Sequence, residues 1–405
     1  MLFSIIIFGY LSLHLVFPLR CRIFWKILFE FIIFCGAFKF HILYVLGGPM
    51  FFSPDLPYSI LFLTAWLFAF IFILFFCVFI CDSLHNVYRF FKFLMHKNHM
   101  QSIKQFSSIV FNPLQYAYNL FFYPEQQTIY KKLEYVHIVL VCFACIGATW
   151  GISQGTTIPT IRQEVIELPN IAPETENFTI ALLADLHVDR LSAPQRIETI
   201  IQMTNDLHAD IICIVGDFVD GKVVTRESQL LPLKKLNAPY GVFGVPGNHE
   251  YYSGYKEWMK FLPTLGIKML VNESYMIQEK NVALTGVPDS AAKRFKESLM
   301  DIPKALENVP KHATKILLAH RPKVALEASL FPFDLQLSGH THGGMILGMD
   351  YLVSLFNGGF VHGLYKVKNL LLYVSRGTCV WHGFPIRLGI SAEITLLTFK
   401  KSKAF

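Results

Sequence analysis

Two regimes of hydrophobic patterning divide the chain. Before residue 155 apolar residues run in long blocks, Leu2–Pro18, Ile27–Leu46 and Tyr58–Cys81, near the ~20 residues a helix needs to cross a bilayer. A fourth block, Val136–Ile152, is shorter and ends in "GATWGISQG", with a Trp suited to the interface. The first block has no basic lead-in and no small-residue cleavage site, so it reads as a span rather than a removable signal. After Ser153 the blocks become short and are bounded by Gly and Pro, the pattern of buried strands. Between them, stretches such as Ser192–Ala209 place Ile197, Ile200, Ile201 and Leu207 near helical spacing. The pattern predicts about four transmembrane helices in residues 1–153 and a linker at 154–175 containing a short strand, Glu164–Leu168. An α/β layered domain follows over 176–405.

Composition sharpens this division. The 405 residues are 53% hydrophobic with 38 Phe, and the mean hydropathy is +0.42. The net charge is +7, but ten Lys/Arg face five Asp/Glu up to Gln154, leaving about +2 for the polar half. That balance argues against nucleic acid as a partner, which would want a basic groove. Arg20, Arg22 and Lys26 follow the first block, no Lys or Arg follows the second, and Arg89, Lys92, Lys97, Lys104, Lys131 and Lys132 follow the third. Basic loops face the cytoplasm, so the expectation is a multi-pass cell-membrane protein with its polar domain on the extracytoplasmic side. Phe106–Tyr123, which carries Asn and Pro, reads as interfacial; if it crosses, the orientation reverses. Glu30 and Lys39 fall on opposite faces of the second block, so they cannot pair with one another; the favoured reading is that Glu30 snorkels and Lys39 meets another helix, the alternative a proton or ion path. Six of eight cysteines lie in or beside apolar blocks, and Cys142 and Cys145 read as small packing residues, not as a disulfide framework.

In the polar half, each strand-like run stops at metal-ligand residue types. "FTIALLADLHVDR" ends in Asp185 and His187, and "ADIICIVGDFVDG" in Asp217 and Asp220. "YGVFGVPGNHEYY" ends in Asn248, His249 and Glu250, "TKILLAHRP" in His320, and "FDLQLSGHTHGG" in His340 and His342. Ligands gather beyond the carboxyl ends of neighbouring strands in layered α/β domains. Extended backbone would put His340 and His342 on one face, and likewise Asp185 and His187. Gly343 and Gly344 would then let the chain turn close to what the imidazoles hold. Carboxylates, imidazoles and one amide oxygen suit Mn, Fe or Zn. Singly, each motif is common in turns and caps; five in this order are not.

These motifs resemble the calcineurin-like metallophosphoesterase superfamily, most closely its bacterial membrane-associated branch, whose C-terminal end is similar to "SRGTCVWHGFPIRLGISAEITLLTF". The resemblance spans roughly Phe178 to Phe399. It implies a four-layer αββα sandwich and two divalent metal ions per chain. Position by position, it assigns Asp185, His187, Asp217 and His342 to one ion. Asp217, Asn248, His320 and His340 fall to the second, with Asp217 bridging. His249 would contact the phosphate and help expel the leaving group, oriented by Asp220. Gly221, Lys222, Tyr251 and Tyr252 stand where phosphoprotein phosphatases of the superfamily carry arginines, which argues against a phosphoprotein substrate. Met345 stands where the membrane branch has Gln. Arg321 either touches phosphate or pairs with a carboxylate.

The leading expectation is a membrane-anchored phosphoesterase that uses a water activated between two metals. It would cleave a phosphodiester, phosphomonoester or pyrophosphate bond, and a site tethered beside a bilayer would suit a lipid-linked or envelope substrate. Tyr251, Tyr252, Tyr255 and Trp258 would line the substrate side or belong to the core. The alternatives are a metal-dependent nuclease and a non-catalytic metal-binding membrane scaffold. The chain does not state its oligomeric state.

Overall fold

In the computed structural model the described residues are 1–19, 21–50, 52–94, 127–169 and 171–402. They divide into two compact units. One comprises Met1–Leu46 and Ser59–Trp150, and the other Gly47–Tyr58 and Gly151–Phe405.

The first unit is helical. Among the described residues two helices are long and apolar enough to cross a membrane, Tyr58–Tyr88 and Tyr135–Thr156. The second apolar block is not one straight helix. It breaks between Ile23–Ala37 and Lys39–Gly47 with a bend of 72°, and Leu2–Val16 is a shorter apolar helix. The stretch Phe106–Tyr123 lies outside the described residues. Glu30 accepts a hydrogen bond from Ser12 Oγ at 2.5 Å. Lys39 is buried and lies over the Phe40 and Phe68 rings at 5.1 and 5.2 Å. The two charges therefore have separate partners, and the bend places them on different helices rather than on opposite faces of one.

The second unit contains two six-stranded mixed sheets. Strands run in the order β1 (Thr160–Leu168), β12 (Glu393–Lys401), β2 (Thr179–Leu183), β3 (Ile211–Val215), β4 (Val242–Val245) and β5 (Ile267–Met269) in one. The other runs β10 (Gly363–Val367), β11 (Leu370–Val374), β9 (Leu335–Ser338), β8 (Thr314–Leu318), β7 (Val282–Gly286) and β6 (Glu273–Ile277). The β2–β5 run and the β11–β9–β8–β7 run are parallel. Part of the segment read as a linker is a full edge strand: β1 pairs in parallel with β12 from Thr160 through Leu168. Nothing in the composition of β1 foretells that partner, which lies over 200 residues away.

Three apolar clusters hold these layers. One, including Ile180, Val215, Val245, Leu284, Leu318 and Leu337, draws on both sheets. A second sets Leu183, Ile212 and Ile214 against Ile197, Ile200 and Trp258 of the helices Pro194–Asn205 and Asn248–Phe261. A third sets Leu317, Leu372 and Val374 against Ile302 and Ala325. Strands β2 and β3 are buried on both faces, which is why they read as continuous apolar runs rather than alternating ones.

Candidate metal centre

The carboxyl ends of β2, β3, β4, β8 and β9 meet at one place. Beyond β2 and β3 the chain keeps a ladder through irregular backbone: Asp185 N–H donates to Gly216 O at 3.1 Å and His187 N–H to Asp217 O at 2.9 Å. Side chains of Asp185, His187 and His342 gather there with ligand atoms within 4.8 Å of one another. So do those of Asp217, His320 and His340, and those of His187, Asp217 and His249.

Local backbone explains how. Asp185, His187, Asp217, His340 and His342 all have left-handed φ, at 54°, 42°, 52°, 73° and 49°. Each such non-glycine residue costs of the order of 1 kcal/mol or more and persists only where its surroundings impose it. The expectation that each i, i+2 pair shares a face of extended chain is therefore wrong. His340 and His342 follow β9 in a tight left-handed turn and serve different clusters, His340 with Asp217 and His342 with Asp185. The turn continues through Gly343 and Gly344 at φ 66° and 83°. Glycine before two of the ligand motifs is needed for approach. A Cβ on Gly339 would meet Asp185 Oδ2 at 2.5 Å, and one on Gly247 would strike the Asp217 carboxylate.

The ring nitrogens are arranged as lone-pair donors. His320 Nδ1–H donates to Val215 O at 2.8 Å, which leaves Nε2 facing Asp217 Oδ2 at 3.2 Å and His340 Nδ1 at 3.2 Å. His187 Nε2 approaches His342 Nε2 at 3.1 Å and Asp217 Oδ2 at 3.6 Å. Burial, then the neighbouring His320 and Arg321 charges, holds His340 well below the usual imidazole range. Burial with His187 and Arg387 does the same for His342. Burial opposes charge on His320, but Asp217 outweighs it and pushes that imidazole up to about 10. Imidazoles crowded around buried carboxylates, two of them held neutral, are a donor set that fits divalent cations.

Asp220 stands one step back. Its Oδ2 meets His187 Nδ1 at 3.1 Å, and its Oδ1 makes a short contact with His249 Nδ1. Burial opposes charge on His249, but the Asp220 and Asp217 carboxylates outweigh it and push the imidazole up to about 9. Burial likewise opposes charge on Asp220, and His249 and His187 hold its carboxyl well below the usual range. Asn248 is buried, and its side-chain oxygen accepts from Arg321 at 3.0 Å. Arg321 also pairs with Asp289 at 2.7 Å and meets His340 Nε2 at 2.8 Å.

Two contributors were not foreseen. Glu250, fully buried, accepts from the backbone N–H groups of Gly247, Asp217, Phe218 and Val219 at 2.7–3.3 Å. It thereby ties the loop of Asp217 to the helix that starts at Asn248, reaching back to the Gly247 N–H as the Glu half of a capping box, with no side chain on Gly247 to complete it. Arg387, also fully buried, donates to His342 O at 3.2 Å and to the carbonyls of Arg376 and Cys379. No local pattern announces it. Of the aromatics after "GNHE", Tyr251 and Trp258 are core residues, whereas Tyr252 faces His249 at 5.5 Å.

The family model for calcineurin-like phosphoesterases matches residues 178–344. An uncharacterized metallophosphoesterase of Helicobacter pylori is 38% identical over 258 residues, 63% of this chain and 68% of that protein. The chain belongs to the calcineurin-like phosphoesterase family. A Bos taurus transmembrane protein with metallophosphoesterase domain is 33% identical over 66% of this chain and 63% of its own length. The chain thus spans about two thirds of the curated relatives it matches. Among solved structures, a Thermus thermophilus 5'-nucleotidase precursor aligns at TM-score 0.37 and 14% identity over 55% of each chain. Family membership makes this metallophosphoesterase a metal-dependent phosphoester hydrolase, and the α/β core with mixed sheets is its fold.

Proposed function

We propose that the protein is a membrane-anchored, multi-pass phosphoesterase of the cell membrane. Asp185, His187, Asp217 and His342 hold one divalent ion. Asp217, Asn248, His320 and His340 hold a second, with Asp217 shared. The observation that carries this reading is that His187 and His320 Nε2 reach the Asp217 carboxylate at 3.6 and 3.2 Å, each beside a second ring nitrogen, of His342 and His340, at 3.1 and 3.2 Å. When bound, two such ions would polarise phosphoryl oxygens and bring the pKa of coordinated water near 7. The chain's own residues do the rest. Asp220 holds the His249 ring through Nδ1, which leaves Nε2 to give a proton to the departing oxygen. Arg321, anchored on Asp289, supplies a fixed positive charge beside Asn248 and His340. The bond cleaved is a phosphodiester, phosphomonoester or pyrophosphate linkage, and the favoured substrate is lipid-linked.

Sidedness is supported by chain connectivity. Gly47–Tyr58, between two apolar helical segments, belongs to the same compact unit as Gly151–Phe405, so both lie on one side of a membrane. That loop carries no Lys or Arg, which favours the extracytoplasmic side.

Manganese-dependent hydrolysis of an aryl phosphodiester by the full chain in detergent tests the proposal. His249→Ala is expected to lower kcat by about 10²–10⁴-fold, and Asp217→Asn to abolish activity. Equal rates in all three proteins contradict it.

A further inference from the structure

The loop Gly47–Tyr58 is distant in sequence from the metal-ligand motifs, yet it is built into their rim. Ser53 Oγ donates to the backbone oxygen of Asp220 at 2.9 Å. Asp55 meets Arg226 NH2 at 2.8 Å, and Arg226, itself 2% exposed, donates through Nε to that same Asp220 oxygen at 3.1 Å. Two attachments thus converge on the residue whose carboxylate orients His249. Between them and the site stands Phe52. Its ring meets His249 edge-on at 5.8 Å and 89°, and Tyr252 at 6.0 Å. Trp381 meets the same imidazole at 5.5 Å and 71°. Three aromatic rings from three distant parts of the chain therefore surround the one imidazole at the centre that is not assigned as a ligand.

A cleft of about 870 Å³ opens beside them, lined by Gly47 and Met50 of the loop and by Tyr252, Tyr255 and Phe295, with charged residues such as Lys256 and Glu297 also on its wall. Tyr252 belongs both to the cleft and to the collar around His249. A leaving group that takes its proton from His249 would thus pass Tyr252 to enter the cleft. We infer that Gly47–Tyr58 is a fixed wall of the leaving-group subsite, that Phe52 sets its specificity, and that the subsite takes a bulky apolar leaving group. This inference rests on the phosphoesterase reading above and adds the chemical class of what is expelled. Chain length alone supports an amphiphilic substrate: Tyr58 begins a candidate span, and about six residues of chain reach at most ~22 Å. Phe52 determines specificity, because it touches the group leaving and not the phosphorus.

The test compares phenyl and 2-naphthyl esters of one phosphate, whose leaving groups differ in apolar area and little in acidity. Both are hydrolysed by the full chain in detergent with manganese. Phe52→Leu, which keeps apolar volume, and Asp55→Asn, which loosens the anchor, stand beside the wild type, each checked for unchanged metal content. The wild type is expected to favour the naphthyl ester in kcat/KM, and each variant to lower that preference about 3–10-fold. A wall that acts as one piece predicts that the double variant lowers the preference no further than the larger single change. An unchanged preference, equal slowing of both esters, or independent effects of the two substitutions would overturn the inference while leaving the phosphoesterase reading intact. A metal-loaded wild type that hydrolyses neither ester overturns that reading itself.

Discussion

Arg321 donates a hydrogen bond to the side-chain oxygen of Asn248 at 3.0 Å. A second nitrogen of the same guanidinium meets His340 Nε2 at 2.8 Å, so one arginine engages two residues assigned to the second ion. An imidazole that ligates through Nδ1 carries its proton on Nε2 and cannot accept from a guanidinium. Arg321 and a cation therefore compete, through charge repulsion and through the His340 tautomer. Replacing Arg321 by Met would leave the buried Asp289 unpaired, so the informative variant pairs Arg321→Met with Asp289→Asn. It should bind the weaker manganese several-fold more tightly in a chelator competition, and hydrolyse anionic esters more slowly. Unchanged affinity would separate Arg321 from the metal site.

The His249–Asp220 pair predicts a pH profile. Its imidazole is held up at about 9 by Asp220 and Asp217 against the effect of burial, so the protonated form prevails at neutral pH. If that form donates the proton, kcat falls as pH rises through the His249 pKa. Bound cations oppose the rise, which sets the alkaline limb below about 9. Asp220→Asn removes the largest favourable charge and should move the limb to lower pH by roughly 1–3 units. A limb that stays in place would remove His249 from the proton path.

Much of this site is legible in the residue types, and little of it in the backbone. Asp185, Asp217, Asn248, His320 and His340 each stand just past a buried strand, and a buried strand reads as an apolar run. The left-handed φ of five ligands is a different matter. Asp and His tolerate it better than most residues, but nothing local requires it, and it is imposed by contacts such as those of Asp185 with the His340 N–H at 3.0–3.1 Å. Long-range partners were equally hidden: β1 against β12, Phe52 against His249, and Arg387 on the His342 carbonyl all join segments far apart in sequence. The 72° break at Phe38 interrupts a block whose hydropathy is continuous, because hydropathy records burial and not helix direction.

Glu250 makes a stability prediction. Its two carboxylate oxygens accept four backbone N–H groups. In Glu250→Gln one oxygen becomes an NH2 that faces donors. The cost should be about 2–4 kcal/mol, read as a Tm lower by roughly 5–15 °C for a domain of this size. An unchanged Tm would show that the two loops are held some other way.

Metal removal should destabilise the polar domain, because the Asp185 and Asp217 carboxylates are both buried and Asp217 opposes charge on Asp185. A ligand that binds only the folded state adds about 2.7 kcal/mol at 100 times its Kd. Thermal unfolding after chelation should therefore begin at lower temperature and be restored by manganese but not by sodium. A transition indifferent to chelator would contradict this.

The most direct test is elemental analysis of the purified full chain beside its Asp217→Asn variant. Two divalent ions sharing one carboxylate predict about two metals per wild-type chain and one or none in the variant. A wild type that carries no tightly bound metal when manganese is supplied, or a variant that keeps both, would contradict the account.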